Sequence, residues 1–245
     1  MPRAYTKYNI LNTKYKLMPE LPEVETIRRQ LDRRLRGKTI ARIGLLRTGR
    51  ETPRGRRFVA ALEGRIIKRV ERRAKLLIWR FAGGGALAAH LKMTGRLVFV
   101  GGDYEPGKHD RAIFYFRGTQ RLIWSDVRQF GFLRIVKDAE LDRLLSAYGP
   151  EPLETSVGEL ASRLERPKTR TVKAALLDQA AIAGVGNIYA DEALHRAGIR
   201  PTRRLGRLTQ ADRLRLAREI QNVLRESIAM RGTSASDYVD AKGER

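Results

Sequence analysis

A short run of small residues carries the first indication of chemistry in this sequence. Gly184-Val185-Gly186-Asn187 lies between two predicted helices. Small residues let the backbone approach a phosphate closely, and Asn187 can cap the next helix, whose first N–H groups would face an anion. Lys173 can add positive charge nearby. The string predicts a phosphate contact, although on its own it is not specific for one ligand.

Side chains that commonly act as nucleophiles or metal ligands are scarce. The 245 residues include no cysteine and 3 histidines, His90, His109 and His195, which are far apart in sequence. The lack of cysteine excludes disulfides, thiolate nucleophiles and cysteine-ligated zinc in this chain. The dispersed histidines form no metal-binding motif, and no motif supports a Ser-His-Asp triad. We therefore expect no metal or other cofactor in this chain.

The charge balance indicates the kind of partner. Lys and Arg number 50 against 27 Asp and Glu, a formal net charge of +23, and the excess is spread along the chain rather than held in a tail. This excess predicts a polyanionic partner, and nucleic acid is the first candidate. A basic surface shared by two parts of the fold would suit a groove that holds a duplex. The alternative is that arginine serves only as a general surface residue.

Two absences guide the expected location. No run of about 18 apolar residues is present, which argues against a membrane span. No apolar leader precedes a cleavage site. We therefore expect an intracellular, cytoplasmic protein.

The pattern of apolar residues divides the chain into a β-rich part and a helical part. Pro22 near a first turn, apolar residues at helical spacing and Gly37 after the last of them predict a leading amphipathic helix over residues 22–35. Short β-rich runs predict strands over Thr39–Leu46, Leu76–Phe81, Leu97–Val100, Ala112–Phe116, Arg121–Trp124 and Phe132–Val136. After Tyr148-Gly149-Pro150, apolar periodicity predicts helices over Val157–Leu164, Thr171–Gln179, Asn187–Ala197 and Thr209–Met230.

These elements predict an α+β fold. An N-terminal antiparallel β-sandwich with a leading helix would be followed by a C-terminal helical domain. We place the sandwich domain over residues 18–149 and the helical domain over residues 150–245, with residues 1–17 as an extension.

Several short sequence motifs between residue 18 and about residue 240 resemble those of one protein family. The first, Met18-Pro19-Glu20-Leu21-Pro22-Glu23-Val24-Glu25-Thr26, is followed by Arg28-Arg29. The others follow in order: Arg72-Arg73-Ala74-Lys75, His90-Leu91-Lys92-Met93-Thr94-Gly95, Lys108-His109-Asp110, Asp126-Val127-Arg128-Gln129-Phe130-Gly131, Gly149-Pro150-Glu151-Pro152-Leu153 and Gly184-Val185-Gly186-Asn187-Ile188-Tyr189. One such match would be weak, but the ordered series closely resembles bacterial formamidopyrimidine-DNA glycosylase.

The resemblance implies a bacterial enzyme of base-excision repair, cytoplasmic and associated with the nucleoid through DNA. It implies a bifunctional DNA glycosylase and AP lyase that acts on oxidised purines, chiefly 8-oxoguanine and formamidopyrimidines. It also implies that Pro19 is the nucleophile and that Glu20 is an acid that protonates the sugar oxygen or relays protons. An N-terminal proline offers a secondary amine, and α-amines titrate at about pH 8, well below lysine.

Further residues match catalytic and DNA-contacting positions of the family. The resemblance implies that Glu23 supports the site, that Glu192 orients water and charge near the nucleophile, and that Lys75 binds phosphate. The two glutamates are equally consistent with carboxylates that stabilise helix N-termini, and the lysine with a solvated strand edge. His90 and His109 match positions at the DNA surface, for which a structural role is the alternative.

Met93, Arg128 and Phe130 match three residues that enter the duplex when a nucleotide is extruded. Met and Phe can wedge the base stack, while Arg hydrogen-bonds the orphaned partner base, which suits cytosine. Their alternative role is core packing on strands. Gln129 replaces an arginine that is common in this family.

The resemblance extends to the helical part of the chain. Gly186 and Asn187 belong to the string that resembles the family's helix–two-turn–helix element, which contacts DNA, and Lys173 can add positive charge to that contact. The stretch Met230–Tyr238 matches a loop that closes over the extruded base.

Two departures from the family pattern affect the chemistry. While residues 1–18 precede it, the nitrogen of Pro19 is an amide and cannot attack. We expect a mis-set or alternative start, with translation from Met18 followed by removal of that methionine. A basic DNA-contacting arm and a weak targeting segment are the other interpretations of residues 1–17. The four-cysteine zinc finger of the family has no counterpart among the residues, so its structural zinc is not expected here.

Three hypotheses follow for the function. The first is an oxidised-purine DNA glycosylase and AP lyase that acts as a monomer on damaged double-stranded DNA. The second is a catalytically inactive DNA- or lesion-binding remnant of the same family. The third, a general RNA- or ribosome-binding basic protein, fits the ordered motifs least well.

Overall fold

The computed structural model describes residues 18–46, 55–101, 104–117, 120–165 and 167–230. The expected extension over residues 1–17 and the expected loop beyond Met230 lie outside these residues. In chain order the described elements are α1 (Leu21–Leu35), β1 (Ile40–Leu45), α2 (Gly55–Leu62), β2 (Ile67–Arg73), β3 (Leu76–Phe81), β4 (Ala86–His90), β5 (Gly95–Val100), β6 (Asp110–Phe116), β7 (Arg121–Asp126), β8 (Phe132–Val136), α3 (Asp138–Ser146), α4 (Val157–Arg163), α5 (Val172–Leu176), α6 (Asn187–Arg196) and α7 (Gln210–Ala229).

Helix α1 is stabilised at its first turn by capping and along one side by a buried apolar face. Pro22 lies in the first turn, where a missing N–H breaks no helical hydrogen bond. The carboxylate of Glu23 accepts a hydrogen bond from the N–H of Glu20 at 3.0 Å. Beyond the helix, Gly37 has a φ of +75°, which glycine adopts without strain. The fully buried residues of the stripe are Val24, Ile27, Leu31 and Leu35.

Two antiparallel sheets form the sandwich, one with the strand order β1-β6-β7-β5 and the other with the order β2-β3-β4-β8. In strand β5, alternate residues such as Leu97 and Phe99 face the shared core. In β1 and β2 a register shift interrupts this alternation. Trp79 of the second sheet meets Phe114 of the first, with ring centroids 5.2 Å apart. Among the site residues described below, Lys75, Met93 and Arg128 lie on turns at the ends of these strands.

A separate apolar core joins helices α4 to α7. Helix α7 begins with a reciprocal cap, because the hydroxyl of Thr209 accepts from the N–H of Asp212 and the Asp212 carboxylate accepts from the N–H of Thr209, both at 3.1 Å. Leu21, the first residue of α1, is buried in this helical core rather than in the sandwich. Its N–H donates to the carbonyl of Gly184 at 3.2 Å, so one helix connects both cores.

The fold class predicted from the sequence is confirmed, and the differences are local. The structure adds α2, β2, β4 and α3, which the apolar pattern did not indicate. Strand β4 is rich in alanine, which favours helices. It is a strand because β3 and β8 pair with it on either side. The proposed domain boundary at residues 149 and 150 stays a prediction, and none of the described helices is long and apolar enough to cross a membrane.

The helix predicted over Thr171–Gln179 is shorter in the structure. Helix α5 ends at Leu176. The side chain of Gln179 accepts from the N–H of Gly184 at 2.9 Å and donates to the carbonyl of Val185 at 2.8 Å. Gln179, which the sequence predicts as the last residue of the helix, therefore fixes the glycine-containing loop that precedes α6.

Candidate functional site

The carboxylate of Glu20 lies at the N-terminus of α6. It accepts hydrogen bonds from the N–H groups of Gly186 at 2.8 Å, Ile188 at 2.9 Å and Tyr189 at 3.4 Å. The first N–H groups of a helix lack partners within the helix, and the helix dipole favours a negative charge there. Glu20 is only 2% exposed. Its position is therefore fixed by residues that follow it by more than 160 positions.

This contact changes the interpretation of the glycine-containing string. The sequence predicted that N–H groups after Gly186 would face an external phosphate. In the structure the N–H of Gly186 serves the protein's own Glu20 instead. Asn187, the first residue of α6, is exposed. Its contact with DNA stays a prediction.

Glu23 and Tyr189 support Glu20 from the other side. One oxygen of the buried Glu23 carboxylate accepts from the N–H of Glu20, and the other accepts from the Tyr189 hydroxyl. Burial and the negative charge of Glu23 raise the pKa of Tyr189 above its ordinary value. The tyrosine therefore stays a neutral hydrogen-bond donor at neutral pH. The sequence string contained Tyr189 but gave no reason to assign it this role.

Lys75 brings positive charge to the same buried group. It lies in the turn between β2 and β3 and is 6% exposed. Burial lowers its pKa, whereas the charges of Glu20 and Glu23 favour the ammonium form. Burial in turn raises the pKa of Glu20 to about 7, against the opposing effects of Lys75 and the backbone N–H groups. A carboxyl group with this pKa can hold or release a proton at neutral pH.

A further carboxylate, Glu151, holds the turn that carries Lys75. The two Glu151 oxygens accept from Arg72 at 3.0 and 2.9 Å, and one of them also accepts from the N–H of Ala74. Ala74 has a φ of +53°, in the left-handed region that an L-residue rarely adopts. Arg73 forms an ion pair with the same carboxylate at 3.3 Å. Glu151 was part of a matching string, but only its contacts reveal what it holds.

Pro19 directly precedes this group and is half-buried. Pro19, Glu20, Glu23 and Lys75 were all predicted as site residues, and the last three are linked by hydrogen bonds or charge interactions. The predicted Glu192 is engaged elsewhere. Its carboxylate accepts from Arg196 at 2.8 Å on the same helix, and Arg196 also pairs with Glu226. Its predicted role near the nucleophile stays a prediction.

His90 ends β4 with its ring close to Phe132, at a centroid separation of 5.8 Å. Its Nδ1 accepts a hydrogen bond from the N–H of Lys92 at 2.9 Å. In the neutral ring the proton is therefore on Nε2, which can donate to a phosphate. Burial, with the nearby charges of Lys92 and Lys75, lowers the pKa of His90 to about 3.

We expect His90 to remain uncharged at pH 5 to 8. The pKa of His90 in the folded protein lies below the 6.5 of an exposed histidine, so the unfolded chain binds a proton at this residue before the folded protein does. The free energy of unfolding therefore decreases as the pH falls from about 6.5 towards 3. His90→Asn, whose side-chain oxygen takes the position of Nδ1 and can accept from the N–H of Lys92, should lose less stability between pH 7 and pH 5. Thermal unfolding at both pH values measures this, and an imidazole signal that titrates near pH 6.5 by NMR would contradict it.

Met93, Arg128 and Phe130 form an exposed cluster. A guanidinium nitrogen of Arg128 lies 3.0 Å from the sulfur of Met93, and the guanidinium carbon lies 4.7 Å from the centre of the Phe130 ring. Half of the Phe130 surface is exposed. Gln129 between them has a φ of +59°. These side chains are not part of the apolar core, and they project as one unit from two neighbouring turns.

Two further predicted DNA-contacting residues, Lys173 and His109, have contacts within the protein. Lys173 pairs with the carboxylate of Asp191 at 2.7 Å, so α5 and α6 are joined by an ion pair. His109 is half-buried, and its carbonyl accepts from the N–H of Asp126 at 3.0 Å. Their contacts with DNA stay predictions.

The zinc group implied by the resemblance does not fit the residues present. It would require four cysteines, and the sequence has none. Within the described ranges, no three His, Asp or Glu side chains are grouped as a metal site.

Comparisons with known proteins cover both parts of the chain. Residues 18–133 match the family described as Formamidopyrimidine-DNA glycosylase N-terminal domain, and residues 148–239 match the Formamidopyrimidine-DNA glycosylase H2TH domain. The chain is 43% identical over 232 residues to the formamidopyrimidine-DNA glycosylase of Moorella thermoacetica, covering 93% of this chain and 85% of that protein. The corresponding protein of Halorhodospira halophila is 42% identical over 229 residues, with coverage of 93% and 85%.

Solved structures agree with this assignment. A Lactococcus lactis FPG mutant in complex with a Fapy-dG containing DNA matches with a TM-score of 0.84 and 31% identity, covering 92% of this chain and 85% of that one. A complex of the Lactococcus lactis protein with THF-DNA and an inhibitor matches with a TM-score of 0.82 and 33% identity, covering 88% and 82%. The fold, the two matched domains and the relatives show that this chain belongs to the formamidopyrimidine-DNA glycosylase family.

Proposed function

We propose that this protein is a DNA glycosylase with AP lyase activity that removes oxidised purines, such as 8-oxoguanine and formamidopyrimidines, from double-stranded DNA. The observation that carries the proposal is the buried Glu20, which directly follows Pro19, has a pKa of about 7 and lies near the charge of Lys75. The names of the relatives and the Fapy-dG containing DNA bound to one of them support this substrate class.

The chemistry follows from the amine and the acid. The lone pair of an N-terminal Pro19 attacks C1′ of the damaged nucleotide, and the bond from C1′ to the base breaks with its electrons leaving on the base. The N–H proton of Pro19 passes to the departing base, which frees the nitrogen lone pair for the next step. Glu20 gives its proton to the sugar ring oxygen as the bond from C1′ to that oxygen breaks. The product is an iminium at C1′, a cation that acidifies the C2′ proton. Loss of that proton expels the 3′-phosphate, and loss of a second proton, from C4′, then expels the 5′-phosphate.

The remaining predicted residues have supporting roles in this proposal. Lys75 contacts a phosphate beside the lesion while its charge keeps the neighbouring carboxylates in place. Extrusion of a nucleotide leaves a gap in the base stack, which Met93 and Phe130 fill. Arg128 hydrogen-bonds the base left without a partner. The excess of basic residues supplies phosphate contacts along the duplex.

The N-terminus decides whether this chemistry is possible. A protein beginning at Pro19 has a secondary amine, whereas in a protein beginning at Met1 the same nitrogen is an amide. Borohydride reduces an iminium to a stable amine, so we expect a covalent adduct with an 8-oxoguanine:cytosine duplex only from the protein that begins at Pro19. Intact mass measures the adduct, and an undamaged duplex is the control.

Failure of this experiment has a definite meaning. If the protein beginning at Pro19 binds the damaged duplex and gives no adduct, the proposed imine chemistry is wrong. The chain would then be the alternative from the sequence, a DNA- or lesion-binding protein without catalysis. An adduct of equal yield from the protein beginning at Met1 would assign the nucleophile to another amine.

A further inference from the structure

A buried aspartate lies beneath the exposed cluster of Met93, Arg128 and Phe130. Asp126, the last residue of β7, is 1% exposed. One carboxylate oxygen accepts from the Thr94 hydroxyl and from the N–H of Arg128 at 3.2 Å. The other accepts from the N–H of Gly131 at 2.8 Å. One side chain therefore binds both ends of the turn that carries Arg128 and Phe130.

The same carboxylate also fixes the turn that carries Met93. Thr94, which follows Met93 directly, donates its hydroxyl proton to Asp126 and accepts from the N–H of Arg128 at 2.9 Å. The two turns that supply the cluster are thus tied together at one point. Because these partners are short side chains or backbone groups, the turn that carries Met93 and the turn that carries Arg128 and Phe130 have little freedom to move apart.

Asp126 is itself held in place. Its N–H donates to the carbonyl of His109, and its carbonyl accepts from Nε and Nη2 of the buried Arg111 at 3.1 and 3.0 Å. Gly131 closes the turn with no space for a side chain. A Cβ at that position would lie 2.8 Å from the Trp124 ring and 3.0 Å from the Asp126 carboxylate. The turn is therefore built on a fixed base.

We propose that Asp126 is a positioning residue that presents Met93, Arg128 and Phe130 as one preformed wedge, and that it thereby sets the preference for the base opposite the extruded nucleotide. This inference rests on the proposed function. An exposed aromatic side chain on a loose turn would lose conformational freedom on entering the duplex, and preorganisation removes that loss. A guanidinium held in one place distinguishes hydrogen-bonding edges of bases better than a mobile one.

The test compares Asp126→Asn with a matched control, Asp110→Asn. Asp110 is also a buried aspartate, 4% exposed, on the neighbouring strand β6, and its carboxylate accepts from the hydroxyl of Tyr104 and the N–H of Gly107. At Asp126 different oxygens hold the two ends of the turn, so Asp126→Asn loses one end, because the amide nitrogen of asparagine cannot accept from an N–H. At Asp110 one oxygen accepts from both partners, so Asp110→Asn removes a buried negative charge but can keep both hydrogen bonds. Thermal unfolding measures the stability of each variant.

The readout is the ratio of excision rates for 8-oxoguanine opposite cytosine and opposite adenine, measured in single turnovers. We expect Asp126→Asn to lower this ratio about tenfold, the range of one base contact, and Asp110→Asn to leave it unchanged. Arg128→Ala should lower the ratio similarly, and the double variant should show no further loss. A ratio that stays at the wild-type value in Asp126→Asn, or falls equally in Asp110→Asn, would overturn the proposal.

A second measurement separates this inference from the proposed function. If the wild-type protein excises no lesion, a duplex with a tetrahydrofuran abasic site beside 2-aminopurine reports unstacking by fluorescence. We expect Asp126→Asn to reduce the fluorescence rise and Asp110→Asn to preserve it, and an equal rise in both variants would overturn the inference. Thr94→Val, which removes only the hydroxyl, replaces Asp126→Asn in both assays if that variant does not fold.

Discussion

Glu20→Gln is expected to lower the rate of base excision by about 10²–10⁴, the usual contribution of a positioned acid. Glutamine has nearly the same size and keeps one oxygen to accept from the N-terminus of α6, but it cannot give a proton to the sugar oxygen. Binding of a duplex with a stable abasic analogue should change much less. Single-turnover excision with the protein that begins at Pro19, together with equilibrium binding, measures the two effects separately.

The pH dependence distinguishes loss of the acid from a disturbed site. Because the pKa of Glu20 is raised to about 7, wild-type excision should fall as the pH rises through that value, and the glutamine variant should lack this decline. The wild type should also lose stability relative to the variant between pH 4.5 and about 7, because the folded state there retains a proton that the unfolded chain releases. An identical decline in both proteins would assign it to another group.

Gly186→Ala is expected to displace Glu20 and so to lower excision by at least about a hundredfold, the scale of a 1 Å misplacement at a reacting centre. A Cβ at position 186 would lie 2.3 Å from the carboxylate carbon of Glu20 and 2.4 Å from one of its oxygens. Glu20 is enclosed by backbone groups, so it must give up at least one hydrogen bond from α6. Overpacking of this kind also destabilises by about 1–3 kcal/mol.

Gly158→Ala provides the control for the alanine substitution. Gly158 lies in helix α4, has no atom within 4 Å of an added Cβ and has no positive φ. Alanine there should leave excision unchanged and raise stability by about 0.5–1 kcal/mol, because glycine is the poorer helix former. Denaturant unfolding and single-turnover excision measure both variants. Wild-type activity in Gly186→Ala would show that the position of Glu20 does not govern the chemistry.

The sequence correctly predicted those helices and strands whose formation is determined by their own residues. Strands β3 and β8 have the predicted bounds, and α4, α6 and α7 end within one residue of prediction. Each carries a period or cap that is complete within its own residues. Strand β2, with the sequence Ile-Lys-Arg-Val-Glu-Arg-Arg, has too few apolar residues to be recognised alone. It becomes a strand because β3 pairs along its length.

The candidate site was predicted only as far as its residues resemble a family. Pro19, Glu20 and Lys75 could be named from matching strings. The partners that hold them could not be assigned roles. Glu151 binds a turn 77 residues earlier in the chain, and Asp126 binds a hydroxyl 32 residues away. Contacts of this kind leave no local spacing in a sequence, and they appear only when the fold brings the two segments together.

The attachment of Glu20 to the start of α6 has a consequence for biosynthesis. Its hydrogen bonds reach residues 166 to 169 positions later in the chain. At ribosomal rates of about 5–20 residues per second, roughly 8–34 s pass between the synthesis of the two partners. During this interval the segment around Pro19 has no anchor from the helical half. Enzymes that trim nascent N-termini therefore meet this segment before it is anchored. The Pro19 amine on which the proposed chemistry depends can be exposed before Glu20 has reached its position against α6.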